Sequence, residues 1–270
     1  MNLVLGAAAH YGIDEVRNFV LSMKLYVNAD IVLLLQNNPV SLRPWLAAYN
    51  VGTQDIATKI LVPQGRYFDY LRFLSKHPGY DTIFLSDVRD VVAQGDIFTA
   101  LTDDGLHVFE EDSGTLLGED RPNSAWIKMC YGEEGLQRLK DQVIICSGTT
   151  YGDRISMLCY LKVMCDEFLD LQKHSPGLIN EMPFDQGPHN FICRLGKLEE
   201  ALKAVGRKLY VHANAGPVYT LGLTREPVTV DQAFVLNPDG TLPGIVHQYD
   251  RSREMKEIYA KLYADTTSST

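Results

Sequence analysis

The chain has 270 residues, 46% of them hydrophobic and 22% charged, with a formal net charge of −9. That is enough for the core of one large domain, and no Pro/Gly/Ser-rich linker divides the chain. The acidic balance, with no basic stripe carrying interleaved aromatics, argues against a nucleic-acid partner. The longest apolar run, in ADIVLLLQ, is too short to cross a bilayer, and the opening MNLVLGAAAHYG lacks the basic start of a signal peptide. The expectation is a cytoplasmic protein with no transmembrane segment. Cys130, Cys146, Cys159, Cys165 and Cys193 form no CxxC pair and no zinc spacing, so they read as reduced core residues.

In chain order, short apolar runs at Leu3 to Leu5, Ile31 to Leu35, Ile60 to Val62, Thr82 to Leu85, Leu106 to Phe109, Val143 to Cys146 and Leu209 to His212 predict strands buried on both faces. Helical patterns lie between them. Val16, Phe19, Val20, Met23 and Val27 share one face behind a polar start at Asp14 and Glu15. Tyr67, Tyr70, Leu71 and Leu74 do the same before a stop at His77-Pro78-Gly79, and Ile155 to Cys165 marks the longest helix. Alternating strands and helices predict an α/β protein with a mostly parallel central sheet flanked by helices. Residues 1–264 read as one domain and 265–270 as a flexible tail.

In such a sheet, ligands bind beyond the carboxyl ends of the strands. The run LSDVRDVVAQGD delivers Asp87 and Asp90 to such an end. Two carboxylates on one loop suit a hard divalent cation, Mn²⁺ or Mg²⁺, whose remaining positions go to phosphate oxygens and water. Aspartates are equally common as turn formers at a solvated strand end, with Arg89 as an ion-pair partner. Far downstream, GIVHQYDRSREMK offers His247 as a third ligand or as a satisfied core histidine, and Arg251 and Arg253 as phosphate partners or a solvated face.

The order LVLGAAAHYG, a helix led by Arg66, LSDVRDVVAQGD, IICSGTTYG, FDQGPHNF and IVHQYDR resembles a nucleotide-sugar-dependent glycosyltransferase of the GT-A fold. The layout is most similar to the retaining galactosyl- and glucosyltransferases related to glycogenin. The resemblance implies a single Rossmann-like GT-A domain. It also implies a UDP- or GDP-type sugar donor, a glycan acceptor and a divalent metal on the diphosphate. The family's Asp-x-Asp motif falls on Val88 and Asp90, with Asp87 one place early. Either Asp87 and Asp90 share the metal with His247, or Asp87 binds the ribose and Asp90 alone holds the cation. The resemblance sets Ala7, Ala8, Tyr11 and Arg66 against the nucleotide. Ala8 falls near the family's acidic contact to uracil, which leaves the base open. Cys146-Ser147-Gly148 stands for the family's Asn-Ala-Gly, so Ser147 or Thr149 supplies hydrogen bonds while Gly148 allows close backbone approach. Asp185 and Gln186 stand for the Asp-Gln pair beside the transferred sugar, with Asp185 the leading catalytic carboxylate. Read from the residues alone, Asp185 equally suits the cap of the next helix. Arg253 takes the place of the lysine that binds the diphosphate.

Trp126 and Tyr131 offer aromatic faces for a sugar acceptor, or core packing. Glu110, Glu111 and Asp112 offer a base for an inverting reaction, or a solvated strand end. The function expected is hexosyl transfer. The alternatives are a non-catalytic nucleotide- or carbohydrate-binding module of the same fold and a metal-dependent nucleotidyltransferase. The latter lacks the basic loop that normally follows the first strand.

Overall fold

A computed structural model of the chain describes residues 1–224 and 227–264. The expected tail, 265–270, lies outside the described residues.

The strands are β1 (Asn2–Ala9), β2 (Asp30–Gln36), β3 (Gly52–Asp55), β4 (Thr82–Ser86), β5 (Val91–Ala93), β6 (Leu106–Glu110), β7 (Ile145–Asp153), β8 (Leu209–His212), β9 (Val218–Thr220), β10 (Thr229–Asp231), β11 (Phe234–Leu236) and β12 (Ile245–His247). The helices are α1 (Ile13–Tyr26), α2 (Leu42–Ala48), α3 (Val62–Lys76), α4 (Ile97–Ala100), α5 (Arg121–Leu139), α6 (Arg154–His174), α7 (Leu178–Glu181), α8 (Gln186–Arg194), α9 (Lys197–Ala204) and α10 (Arg253–Leu262). Seven strands form the central sheet in the order β3-β2-β1-β4-β7-β6-β8. All neighbours pair in parallel except β7, which runs antiparallel to both β4 and β6. The architecture is α/β with a mostly parallel central sheet, as the apolar runs predict.

The period-two alternation of buried strands divides the core between the two faces. Leu3, Leu5, Val32, Leu34, Ile83 and Leu85 meet α3 and α6, with Tyr67, Tyr160 and Phe168 in the same cluster. Val4, Ala8, Ile31, Leu33, Leu35 and Phe84 meet α1 and α2, with Phe19 and Leu46. Each fully buried aromatic or aliphatic side chain in these layers contributes about 1.5–3 kcal/mol of transfer free energy. Helix α1 begins where Gly12 N–H donates to the Glu15 carboxylate at 2.8 Å, and α6 begins where Asp153 accepts from the Ile155 and Ser156 amides. No helix among the described residues is long and apolar enough to cross a membrane.

Two expected strands differ. Ile60 to Val62 is not a strand, because Val62 opens α3 with Pro63 in its first turn, a position that needs no amide donor. The strand in that region is β3, whose polar GTQD sequence reflects its place at the sheet edge, mostly exposed. The run Val143 to Cys146 marks only the start of β7. The rest, SGTTYGD, is small and polar yet largely buried between two neighbours.

A second sheet, β5-β12-β9, positions the site. Its antiparallel pairing sets His247 opposite Val91, so a histidine from far along the chain arrives one residue from Asp90.

Candidate functional site

A cavity of about 830 Å³ opens beyond the carboxyl ends of β1 and β4, lined by residues that include Ala7, Tyr11, Arg66, Asp87, Asp90, Trp126, Ser147, Asp185 and Gln186. The loop after β4 decides what faces it. Val88 is 1% exposed and turns into the core, where a Cβ on Gly6 would come 2.3 Å from Val88 Cγ1. With Val88 anchored inward, Asp87 and Asp90 both turn toward the cavity. That is why aspartates three apart, and not two apart, share this loop.

Candidate ligand atoms of Asp87, Asp90 and His247 lie within 4.8 Å of one another. His247 is 1% exposed, and its Nε2 stands 3.7 Å from Asp87 Oδ2 and 3.8 Å from Asp90 Oδ1 with no hydrogen-bond partner. A buried nitrogen left orphaned between two carboxylates is costly unless something lies between them. The space is kept open by Gly148, where a Cβ would come 2.5 Å from His247 Cε1 and 2.7 Å from Asp87 Oδ2. The donor set, two carboxylate oxygens and one imidazole nitrogen, suits Mn²⁺ and, less well, Mg²⁺. The residues fit a divalent cation, and it is Asp87 and Asp90 together, with His247, that could hold one.

Behind this cluster Arg66 ties the site together. One arm of its guanidinium contacts Asp87. The other donates to Asp185 Oδ2 at 2.8 Å and to the Ser147 carbonyl at 3.2 Å. Burial would raise the Asp87 carboxyl, but Arg66 and His247 outweigh burial and hold it well below the usual carboxylate range. Asp90 has only the exposed Arg89, at 3.9 Å, as an arginine partner, and burial raises it despite the pull of His247. Burial works against a proton on His247, and the Cys146 sulfur and the two carboxylates overcome it, so its pKa lies well above the ordinary value. Metal binding at Nε2 therefore displaces a proton.

Asp185 does not cap α8, for its side chain makes no capping bond. It accepts from Arg66 and, at 3.2 Å, from Tyr67 Oη, and burial raises its pKa. The helix-capping alternative is thereby removed. Gln186 also lines the cavity, though its amide is engaged within the protein: Nε2 donates to Glu111 and Asn123, and Oε1 accepts from the Ser147 amide and hydroxyl. Trp126 lines the cavity half-buried. Tyr131 does not line it, and instead stacks on Phe191 at 3.7 Å and donates to Glu167.

No protein-family model matches this chain. No curated protein matches it either.

Two expected site residues lie elsewhere. Ala8 alternates away from the cavity and is fully buried on the α1 face, while Ala7 and Ala9 line the opening. The Arg253 side chain is 94% exposed on α10 and pairs with Glu257. Arg251 lines the cavity in its stead, as does Arg89, which pairs with Asp250 at 3.3 Å. The short turn Tyr249–Arg251 before α10 makes the difference, since it leaves Arg251 at the cavity mouth and starts the helix at Arg253. Glu111 and Asn123 also line the cavity. Glu111 directly follows β6, whose last residue Glu110 turns to Arg194 while Glu111 turns the other way. That acidic strand end was available from the sequence; Asn123, in the first turn of α5, carried no signal of its own.

Proposed function

We propose that this protein transfers a hexose-type sugar from a nucleotide diphosphate donor to a glycan hydroxyl, as the resemblance to GT-A glycosyltransferases implies. The observation that carries the reading is the Asp87, Asp90 and His247 cluster, with its orphaned Nε2 and glycine-kept clearance, at the strand ends of a large cavity. A divalent cation held there supplies positive charge to the departing diphosphate.

The chain's own residues do the rest. Arg89 and Arg251 at the mouth face phosphate oxygens, and Arg66 fixes Asp87 from behind. In the reaction the bond from the anomeric carbon to the diphosphate breaks with its electron pair on the diphosphate. A bond to the acceptor oxygen replaces it, and the hydroxyl proton goes to the displaced diphosphate or to a cavity carboxylate. Asp185 stabilises the positive charge that develops on the sugar, and Ala7, Ala9 and Tyr11 wall the nucleoside end. The Trp126 face packs against the acceptor pyranose.

The test is hydrolysis of UDP-glucose, UDP-galactose and GDP-mannose, followed as release of free diphosphate nucleotide with Mn²⁺ and with chelator. Manganese-dependent release from one donor supports the reading. Binding of a donor without release under any condition would replace it with the non-catalytic alternative.

A further inference from the structure

The sugar-facing end of the cavity holds one buried carboxylate that the reading above leaves unused. Glu111 is 3% exposed and lines the cavity. Its backbone is fixed by donation from its amide to the Ile144 carbonyl at 2.8 Å. Its neighbour Glu110 is neutralised by Arg194 at 2.6 Å, whereas Glu111 has no ion-pair partner among the described residues. A carboxylate has about four acceptor positions, so the Gln186 amide at 3.1 Å and the Cys146 thiol satisfy only part of its capacity. Burial pushes its carboxyl up, and the charge of His247 and the hydrogen bonds from Cys146 and Gln186 only partly offset it.

Gln186 is in the opposite condition. An amide side chain has two donor hydrogens and two acceptor positions. Its donors go to Glu111 Oε1 at 3.1 Å and Asn123 Oδ1 at 3.0 Å, and its oxygen accepts from Ser147 N at 3.3 Å and Ser147 Oγ at 3.4 Å. Nothing of the amide remains for a substrate. Asn123 is committed as well, donating to Asp120 at 2.8 Å.

Resting on the glycosyltransferase reading, we propose that Glu111 accepts a hydroxyl hydrogen of the bound sugar, that Gln186 is the positioning residue that aims it, and that the donor sugar is a neutral hexose and not a hexuronate. The last part follows from charge. Glu111, Asp120 and Asp185 all line this cavity, and among the described residues only Asp185 is held in an ion pair, so a carboxylate on the sugar meets like charge, while neutral hydroxyls supply the donors Glu111 lacks.

The experiment is calorimetric titration, with Mn²⁺, of UDP, UDP-glucose, UDP-galactose and UDP-glucuronate, and of GDP and GDP-mannose, into wild type, Glu111→Gln, Gln186→Ala and the double variant. Glu111→Gln is nearly isosteric: its oxygen still receives the Gln186 amide, and it turns a donor to the cavity where an acceptor stood. Wild type is expected to bind a neutral sugar nucleotide roughly tenfold more tightly than the bare diphosphate, and the glucuronate no better than the diphosphate. Glu111→Gln removes the tenfold gain and leaves the diphosphate within twofold. Gln186→Ala does the same in the wild-type background and adds nothing to Glu111→Gln, which a purely structural role would not produce. Glu111→Asp, which keeps charge and withdraws it by one methylene, loses part of the gain. Unchanged circular dichroism shows that each variant is folded. Retention of the full gain in folded Glu111→Gln, or tight binding of the glucuronate, overturns the inference and leaves the glycosyltransferase reading standing. Failure of every nucleotide to bind wild type overturns both.

Discussion

Two buried titratable clusters in this protein are built on opposite terms. On edge strand β8, His212 Nε2 lies 2.9 Å from His107 Nδ1, and His107 Nε2 lies 3.0 Å from the Asp103 carbonyl. Tyr210 and Phe109 stack on the rings. Each imidazole in that relay finds a neutral partner, and burial holds both below the ordinary histidine value, His212 at about 4. At the cavity, His247 has two carboxylates at hand and an Nε2 bonded to neither. The difference separates a histidine whose partners are complete from one whose cluster could hold an ion. Polar groups that complete one another stabilise the fold, whereas groups that leave capacity turned toward a cavity wait for a ligand.

The strongest way to break the comparison is to remove the cation shared by the two halves of the site. Arg66→Ala leaves Asp87 and Asp185 buried without it, and the expected loss is about 3–5 kcal/mol of unfolding free energy by denaturant titration. A loss below about 1 kcal/mol would mean that the carboxylates are far better solvated than their burial implies. Next, Gly148→Ala puts a methyl group where ligand atoms must converge. Mn²⁺ affinity should fall by about 100-fold, as expected of disturbance around a metal ligand, and the overlap with the buried His247 ring should cost about 1–3 kcal/mol of stability. Equal affinity in the variant would place the ion elsewhere.

Acid sharpens the other half. A histidine whose folded pKa lies below its unfolded value stabilises the fold fully above about pH 6.5, and the contribution fades as pH falls toward about 4, the folded value for His212. Allowing for its partial exposure, the contribution is about 2 kcal/mol. His189, held at about 3 by burial, loses stability over an overlapping range, so the difference between wild type and His212→Asn isolates the pair. That difference should shrink between pH 7 and pH 4, and a constant difference would show that the pair titrates normally. The smallest effects separate two arginines. Arg251→Ala should weaken nucleotide binding severalfold, and Arg253→Ala, whose side chain is almost wholly exposed, should change binding and stability by less than about 0.5 kcal/mol.

The core was legible because buried strands and helices write their periods in apolar residues: the runs at Leu3, Ile31, Thr82, Leu106 and Leu209 all became sheet strands. β3 was not, since GTQD at a sheet edge has no apolar face to show. The cluster of Asp87, Asp90 and His247 was named from the residues and the resemblance together, and the fold brings those three side chains to one place. What was hidden was orientation. Neither the inward turn of Val88, which makes the Asp87 and Asp90 spacing workable, nor the break that separates Arg251 from Arg253 follows from local pattern, because each depends on contact with a distant segment.

The most direct test of the account is calorimetric titration of UDP and GDP, each with and without Mn²⁺, into wild type and Asp90→Ala. The account predicts manganese-dependent binding of one nucleotide that Asp90→Ala abolishes while the variant keeps its fold. Failure of both nucleotides to bind wild type in the presence of metal, or equal binding by the variant, would contradict it.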